Sequence, residues 1–266
     1  MYSFNYVKPG SLKEVNDFLA SNPEARPLAG GMTLIPTLKA RLAQPSHLVD
    51  ISALEELKGI EVRNGALVIG AGTTHAEVAR STHVRDAIPA LAELAFHIGD
   101  PAVRNCGTIG GSVANNDPAA DYPAGVLALG ATVVTNRREI AADDFFQGMF
   151  TTALEPGELV VRISFPKPRR AAYEKFAHPA SGYAMTGVFV AQTNGGIRVA
   201  VTGAGPGVFR WSEAEAALAK AFNVAAVASL TMPAADLNED IHGSREYRAN
   251  LVRVLTKRAV ARLAGR

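Results

Sequence analysis

Two glycine pairs are the residues of this sequence that could bring a phosphate close to the backbone. The first pair, Gly30 and Gly31, lies in LAGGMTLIP, and the second, Gly110 and Gly111, lies in NCGTIGGS. Glycine permits turns with positive φ, and consecutive N–H groups in such a turn can surround an anion. Taken alone, the first pair is better explained as an ordinary strand-to-helix turn. Two such turns in one chain make a pyrophosphate-bearing ligand as plausible as two ordinary turns.

Hydroxyl residues flank the second glycine pair. Thr108 and Ser112 can donate hydrogen bonds to phosphate oxygens while the glycines allow the ligand to approach closely. The first pair fits neither the Walker loop, because no Gly-Lys-Ser/Thr follows, nor the G-x-G-x-x-G fingerprint of Rossmann domains. No G-x-S-x-G surrounds Ser112, so nothing indicates hydrolase chemistry.

Two aspartates follow the second glycine pair and could act as a carboxylate pair in acid–base chemistry or metal binding. Asp117 precedes Pro118 and is better explained as a helix N-cap with proline at the first helical position. Pro123 predicts that the main helix starts after Asp121, which leaves the Asp121 carboxylate free at the start of the helix. That carboxylate could accept hydrogen bonds from a ribose or another ligand hydroxyl.

A third candidate stretch is YEKFAHPASGYAMTGV, which contains Lys175 and Tyr183. A lone lysine is usually a solvated charge and a lone tyrosine usually packs half-buried. Their role depends on whether this loop returns to the glycine pairs. The six histidines show no metal-ligand spacing, and Cys106 is expected to be a small buried residue.

The composition excludes several classes of function. The 27 basic and 25 acidic residues form no basic patch for nucleic acid, and an aromatic content of 7% is low for base stacking. A single cysteine excludes a disulfide framework or a cysteine-ligated iron–sulfur cluster within the chain. The N-terminus has no signal-like apolar region and no apolar run predicts a membrane span, which favours a cytoplasmic location.

The helices and strands that must position these residues can be predicted from the sequence. Together they indicate an α+β protein of three consecutive regions. A capping-box pattern at Ser11 starts an α/β unit over residues 1–56, in which the segment around 37–42 is a further candidate helix. Residues 57–168 contain a second capping-box pattern at Thr74 and Glu77, a helical segment over 85–97 and clear strands over 131–135 and 157–166. Residues 169–266 contain a hairpin joined by Asn194-Gly195-Gly196, a helix that Ser212 and Glu215 are expected to cap, and a final helix from about residue 245.

Three segments, in this order, resemble the FAD-binding medium subunit of molybdenum hydroxylases. They are LAGGMTLIPTLKARLAQPSHLVDIS, GTIGGSVANNDPAADYPAGVLALGA and YEKFAHPASGYAMTGV. The family includes the medium chain of aerobic carbon monoxide dehydrogenase and the FAD domain of xanthine dehydrogenase. The resemblance implies the two-subdomain FAD-binding fold of the vanillyl-alcohol oxidase type, followed by a C-terminal domain with a small antiparallel sheet and helices.

The resemblance also implies which residues contact FAD. Two segments would form the pyrophosphate loops: Ala29, Gly30, Gly31, Met32, Thr33 and Leu34, and then Thr108, Gly110, Gly111 and Ser112. Asp121 would bind FAD, and Val160 would be an apolar residue against it. Lys175 would lie near the pyrimidine edge of the flavin, and Tyr183 matches an aromatic near the ring in some members. The family often has His, Gln or Thr at the position of Met32, so any contact by Met32 must come from its backbone.

The function implied is that of the flavoprotein subunit of a three-subunit molybdenum hydroxylase. A large subunit would carry the molybdenum–pterin centre and a small subunit two [2Fe–2S] clusters, and the resemblance implies that the complex is a dimer of such heterotrimers. FAD in this chain would pass electrons to an external acceptor, and no residue here is assigned a catalytic or metal-binding role. The alternatives are a stand-alone FAD oxidoreductase and an assembly subunit without flavin.

Overall fold

The computed structural model describes residues 1–265, and the chain begins with a small α/β unit. Its three strands are parallel and lie in the order β1-β3-β2. The elements are β1 (Asn5–Val7), α1 (Leu12–Ser21), β2 (Arg26–Leu28), α2 (Leu34–Lys39) and β3 (His47–Asp50). The predicted cap of α1 is confirmed, because the Ser11 hydroxyl oxygen accepts a hydrogen bond from the Glu14 N–H at 3.2 Å.

The second unit combines helices with an antiparallel sheet in the order β4-β5-β10-β6-β7, and a separate hairpin joins β8 to β9. It opens with a 3-10 helix (Glu55–Leu57), β4 (Ile60–Arg63) and β5 (Ala66–Gly70). Its helices are α3 (His75–Arg80), α4 (Thr82–Ala87), α5 (Pro89–Phe96), α6 (Pro101–Cys106), α7 (Ile109–Asn115), α8 (Tyr122–Ala128) and α9 (Ala142–Phe145). Its later strands are β6 (Thr132–Thr135), β7 (Glu139–Ala141), β8 (Phe146–Gly148), β9 (Thr151–Thr152) and β10 (Val160–Pro166).

The third unit is a four-stranded antiparallel sheet with three helices. Its elements are β11 (Arg170–Ala177), β12 (Ala184–Thr193), β13 (Gly196–Thr202), β14 (Phe209–Arg210), α10 (Ser212–Lys220), α11 (Val224–Ala228) and α12 (Arg245–Ala264). The predicted hairpin is confirmed, with Thr193 paired to Gly196 across its turn. Helices and antiparallel strands in this arrangement confirm the α+β class.

The three units share their hydrophobic cores. The core under the first sheet includes Leu57, Leu159 and Val161, which belong to the second unit. The core of the second unit includes Tyr173 and Phe189 from the third sheet. Because each core draws side chains from its neighbour, the units are held in fixed contact, and the loops between them can form the walls of one site.

Three local predictions are wrong for identifiable physical reasons. The helix expected over 85–97 is two helices, since Pro89 has no N–H for the preceding turn and begins α5. The helix expected over 37–42 lies earlier, at Leu34–Lys39, and it ends before Arg41 because Arg41 has a positive φ of 59°. Asp117 caps a turn rather than a helix, because its Oδ1 accepts the Ala119 N–H at 2.9 Å and no helix begins at Pro118.

The cap expected at Ser212 is also wrong. Trp211 occupies the N-cap position of α10 without a side-chain cap. The Glu215 carboxylate instead accepts the Val199 N–H at 2.9 Å and pairs with Arg210 at 2.6 Å. Glu215 therefore ties α10 to the sheet rather than closing a capping box.

Candidate functional site

A cavity of about 890 Å³ opens where the three units meet. The first unit contributes the loop after β2, and the second contributes the loop before α7 and the segment that leads into β10. The third contributes the loop between β11 and β12, so this loop does return to the glycine pairs. Of the residues expected to contact a cofactor, all but one line the cavity: Ala29, Gly30, Gly31, Met32, Thr33, Leu34, Thr108, Gly110, Gly111, Ser112, Asp121, Val160 and Tyr183.

The first glycine loop, residues 29–34, leaves its backbone donors unpaired. Gly31 has φ +69°, a conformation that side chains rarely adopt, and it turns the chain from β2 towards α2. Within residues 1–265, the N–H groups of Gly30, Gly31, Met32 and Thr33 donate to no protein acceptor. Four consecutive free donors at a cavity wall are suited to the oxygens of a phosphate or pyrophosphate.

The second glycine loop, residues 107–112, uses its first donors for packing. The Ile109 N–H donates to the Thr73 carbonyl at 3.0 Å, and the Gly110 N–H donates to the Ala71 carbonyl at 2.8 Å. A Cβ on Gly110 would lie 2.7 Å from that same carbonyl oxygen. Gly110 is therefore required because the loop lies directly against the segment after β5.

Two further N–H groups of the second loop, those of Gly111 and Ser112, are used in capping and starting a helix. Thr108 is the N-cap of α7, and its Oγ1 accepts the Gly111 N–H at 3.1 Å. The Thr108 carbonyl accepts the Ser112 N–H at 3.0 Å. The sequence suggested a backbone clamp here, and most of it is wrong: within residues 1–265 only the Thr108 N–H of this loop has no protein acceptor. What this loop offers a ligand is its hydroxyl groups, the Thr108 N–H and the bare surface of Gly111.

The two glycine loops touch each other at Gly30. A Cβ on Gly30 would lie 1.9 Å from the Cys106 carbonyl oxygen and 2.8 Å from the Gly107 Cα. Cys106 itself is exposed, which corrects the expectation that it is a small buried residue. It ends the short helix α6, none of whose residues is buried. The backbone of Cys106, rather than its thiol, contributes to the site.

The Asp121 carboxylate is buried and paired, so the prediction of a free carboxylate is wrong. The Tyr173 hydroxyl donates to its Oδ1 at 2.5 Å, and the Lys175 Nζ lies 2.9 Å from the same oxygen. Lys175 also donates to the His97 carbonyl at 2.9 Å. Burial raises the pKa of Asp121, while Lys175 and Tyr173 oppose that rise.

Lys175 is the one expected contact residue that is not in the cavity lining. Its side chain is 5% exposed and it meets the cavity wall through the Asp121 carboxylate. Val160 is buried at the wall, and Tyr183 is 45% exposed at its edge. This end of the cavity therefore combines a compensated charge pair with apolar and aromatic surface.

His75 is a cavity residue that the sequence reasoning missed as a contact. The Thr74–Glu77 capping box is confirmed and places His75 in the first turn of α3, where it lies against Gly107. Burial lowers the pKa of His75 to about 4, and the positive charge of Arg104 acts in the same direction. Its Nδ1 has no partner among residues 1–265. The capping box was the signal in the sequence that pointed towards this position.

Neither a metal cluster nor a membrane span accompanies this cavity. Across residues 1–265, no three His, Cys, Asp or Glu side chains lie together in a way that could hold a metal ion. Over the same residues, no helix is both long and apolar enough to cross a membrane.

Comparison with known families identifies the two parts of the chain. Residues 2–168 match the FAD binding domain in molybdopterin dehydrogenase, and residues 169–263 match the CO dehydrogenase flavoprotein C-terminal domain. The chain belongs to this family. It is a flavoprotein component of molybdenum-containing oxidoreductases, as the sequence resemblance implied.

Curated members of the family align over nearly their whole length. The glyceraldehyde dehydrogenase medium chain of Sulfolobus acidocaldarius is 36% identical, with 98% of each chain covered. The carbon monoxide dehydrogenase medium chain of Afipia carboxidovorans is 37% identical, with 99% of this chain and 98% of the relative covered. The xanthine dehydrogenase FAD-binding subunit of Escherichia coli O157:H7 is 28% identical over 98% of this chain and 96% of the relative.

Solved structures of the family have the same fold. Quinoline 2-oxidoreductase from Pseudomonas putida 86 contains a chain that is 32% identical, with a TM-score of 0.88 over 97% of this chain and 96% of that one. A chain of the Cu,Mo-CO dehydrogenase is 35% identical, with a TM-score of 0.88 and the same coverage.

The residues present fit the FAD that this family binds. The first loop supplies four unpaired N–H groups, the second supplies two hydroxyl groups, and the cavity is of the size that cofactor sites have. No buried carboxylate without a partner lies beside the free donors, since Asp121 is paired with Lys175. A dinucleotide pyrophosphate is thus compatible with the charge of the site.

Proposed function

We propose that this chain is the electron-transferring FAD subunit of a molybdenum hydroxylase. It would take electrons from [2Fe–2S] clusters of a small partner subunit and pass them to an external acceptor. A large partner subunit would oxidise the substrate at a molybdenum–pterin centre. The observation that carries the proposal is the run of unpaired N–H groups from Gly30 to Thr33 at the wall of the cavity in a FAD-binding domain.

Different residues of the chain would bind different parts of FAD. The N–H groups of the first loop would bind the pyrophosphate, and the hydroxyls of Thr108 and Ser112 would complete its hydrogen bonding. Asp121, which Lys175 keeps in place, would accept hydrogen bonds from the cofactor. Bound FAD supplies the redox chemistry, while the protein supplies binding, orientation and electrostatics.

The other end of the cavity would surround the ring system. Val160 is buried and apolar, and Tyr183 covers the edge of the opening, so together they would exclude water from one side. Burial raises the pKa of the Tyr183 hydroxyl, with the negative charges of Asp117 and Asp121 adding to the effect. Tyr183 therefore stays a neutral hydrogen-bond donor at physiological pH.

The first test is the flavin content of the purified full chain. We expect the visible absorbance of a flavin, and a colourless chain that takes up no added FAD would contradict the proposal. A yellow chain that oxidises small alcohols or amines without partners would instead be a stand-alone oxidoreductase. Co-purification of molybdenum and iron–sulfur subunits would support the three-subunit arrangement.

The sharper test is Gly111→Val. A Cβ at Gly111 would lie 2.9 Å from Thr108 Oγ1 and no closer to other atoms, so the added side chain crowds the cap at the cavity surface. We expect loss of FAD retention with the circular-dichroism spectrum largely unchanged. Gly10→Val is the matched control, because a Cβ there approaches other atoms no closer than 3.8 Å and the residue is exposed. Normal flavin content in Gly111→Val would show that the second loop does not lie at the pyrophosphate.

A further inference from the structure

Tyr173 is a buried tyrosine of β11 whose hydroxyl is directed at one carboxylate. The residue is 3% exposed, and its hydroxyl donates to Asp121 Oδ1 at 2.5 Å. Its ring packs against Phe189 of β12, with the ring centroids 6.0 Å apart. Burial raises the pKa of the Tyr173 hydroxyl well above its usual value, and the negative charge of Asp121 adds to the effect. The hydroxyl is therefore a neutral and permanent hydrogen-bond donor to Asp121.

The spacing of residues in β11 brings two donors to this carboxylate. Residues two positions apart in a strand project to the same face of a sheet, so Tyr173 and Lys175 lie on one face. Glu174 lies between them and projects to the opposite face, where its carboxylate is 3.5 Å from Arg262 of α12. The Tyr-x-Lys spacing thus places a hydroxyl and an ammonium group beside Asp121.

The two donors make different contacts with the Asp121 carboxylate. The Lys175 Nζ lies 2.9 Å from Oδ1 and 3.0 Å from Oδ2, so it does not distinguish the two oxygens. The hydrogen bond from Tyr173 goes to Oδ1. Tyr173 therefore determines the rotation of the carboxylate and leaves Oδ2 with one protein donor instead of two. A carboxylate oxygen can accept more than one hydrogen bond, so Oδ2 keeps capacity for a further donor.

The neighbouring strand keeps the position of the Tyr173 hydroxyl free of other atoms. Gly187 of β12 is paired with Lys175 across the sheet. A Cβ on Gly187 would overlap the hydroxyl oxygen of Tyr173, which is its nearest atom. Gly187 does not have a positive φ, so its backbone conformation does not require glycine. The contact with the Tyr173 hydroxyl is what excludes a side chain there.

We propose that Tyr173 is a positioning residue of the flavin site, whose hydroxyl orients the Asp121 carboxylate and keeps it ionised. The inference rests on the proposed function, in which Asp121 accepts hydrogen bonds from FAD. Tyr173 acts through Asp121, because Asp121 lines the cavity and Tyr173 does not. A buried carboxylate that loses a donor takes up a proton more readily, and the protonated group donates a hydrogen bond where the ionised group accepts one.

Four other titratable side chains interact with the charge of Asp121. Burial raises the pKa of Asp121, and the positive charges of Lys175 and His97 oppose that rise. The hydroxyl groups of Tyr122 and Tyr183 have their pKa raised by burial and, further, by the negative charge of Asp121. All four side chains are retained when Tyr173 is changed, so a comparison with the native chain isolates the Tyr173 hydroxyl.

The test is titration of the full chain, freed of its flavin, with FAD at pH 8 and at pH 6. Tyr173→Phe removes the hydroxyl and keeps the packed ring. We expect the variant to bind FAD at least about fivefold more weakly at pH 8. The ratio of the two affinities should be larger at pH 6, because the carboxylate without its donor is protonated more readily. Equal affinities, or the same ratio at both pH values, would overturn the proposal.

Tyr122→Phe is the matched control for the loss of a buried hydroxyl beside Asp121. The Tyr122 hydroxyl has no hydrogen-bond partner among residues 1–265, so its removal should change FAD affinity by less than about twofold. Because Lys175 still pairs with Asp121, we expect Tyr173→Phe to fold, and circular dichroism checks this. A variant that does not fold would show that the hydroxyl serves the fold as a whole and would also overturn the proposal.

Asp121→Asn separates a role through the carboxylate from a role in packing. An amide does not titrate between pH 6 and pH 8, so in this background the loss caused by Tyr173→Phe should be the same at both pH values. A pH-dependent loss that persists would assign the effect to another group, such as His97, and refute the proposal. A native chain that binds no FAD would contradict the proposed function itself. A native chain that binds FAD, with Tyr173→Phe unaffected, would refute the role of Tyr173 alone.

Discussion

The first glycine loop leaves four consecutive backbone N–H groups unpaired, whereas the second loop pairs those of residues 109–112 with Thr73, Ala71 and Thr108. Both loops are rich in glycine and both line the same cavity. The first can therefore bind an anion through a run of backbone donors, and the second mainly through hydroxyl groups, with the Thr108 N–H as its one unpaired backbone donor among residues 1–265. A similar sequence pattern thus corresponds to two different ways of approaching a ligand.

The glycines of the two loops are required for different reasons. Gly30 and Gly110 allow backbone segments to touch, at the Cys106 carbonyl and at Ala71. Gly31 is required for its positive φ. Only Gly111 has open space around it, apart from the hydroxyl of its own cap. Most glycines of these motifs allow close backbone packing in the cavity walls, and only Gly111 borders open space that a ligand could fill.

The largest effect is expected from Gly30→Ala, which would separate the two loops. The added Cβ would lie 1.9 Å from the Cys106 carbonyl oxygen, a backbone atom that cannot move away by rotation. We expect destabilisation of more than about 3 kcal/mol and loss of bound flavin. Urea unfolding and flavin absorbance measure both, with Gly10→Ala as the control. Unchanged stability would mean that the loops do not meet at this point.

Lowering the pH should destabilise the folded protein through His75, which lies against Gly107 of the second loop. The pKa of His75 is 6.5 when unperturbed and about 4 in the folded protein, so between these values the unfolded state binds more protons. The stability that neutral His75 contributes is present above pH 6.5 and is lost as the pH falls towards 4. At about 1.4 kcal/mol for each pKa unit, the loss reaches about 3 kcal/mol.

The measurement is the free energy of unfolding of the native chain and of His75→Gln between pH 7 and pH 4. Carboxylates titrate in the same range in both proteins, so the difference between the two curves isolates His75. We expect the variant to lose less stability on acidification. Parallel curves would show that His75 is already charged or exposed in the folded protein.

A smaller effect is expected from Ser112→Ala, which removes one hydroxyl from the second loop and leaves the backbone intact. A hydrogen bond to a charged phosphate contributes about 1.5–3 kcal/mol, so FAD affinity should fall at least about tenfold. Ser229→Ala is the control, because Ser229 is exposed and outside the cavity. An unchanged FAD dissociation constant would argue that the second loop contributes only shape.

The smallest effect is expected from Met32→Ala in the first loop. Met32 is 37% exposed, and its backbone N–H is one of the four free donors. If the loop binds through its backbone, truncating the side chain should change FAD affinity by less than about twofold. A tenfold loss, measured by the same titration, would show that the thioether itself contacts the cofactor.

Much of this site could be predicted from the sequence because its chemistry is local. The glycine pairs, Thr108 and Ser112 lie within short motifs, and three motifs in order identified the family. The capping box at Thr74 and the hairpin at Gly196 also depend on neighbouring residues, and both are confirmed.

The parts that could not be predicted depend on distant residues. Asp121 and Lys175 are 54 positions apart, so neither the ion pair nor the burial of the carboxylate has a local signal. The N–H groups of Ile109 and Gly110 donate to carbonyls more than thirty positions earlier in the chain. A loop with free N–H groups and a loop with paired ones can therefore have the same local sequence. The exposure of Cys106 follows from the position of α6 on the surface, which hydropathy does not encode.

The shared core of the first unit has a consequence for the order of events during synthesis. Leu159 and Val161 complete the core beneath the first sheet, yet they are translated more than a hundred residues after it. A nascent chain that has emerged only to the end of β3 has the first glycine loop but not the side chains that support it. We therefore expect the cofactor to be loaded late, after β10 has left the ribosome and packed against the first unit.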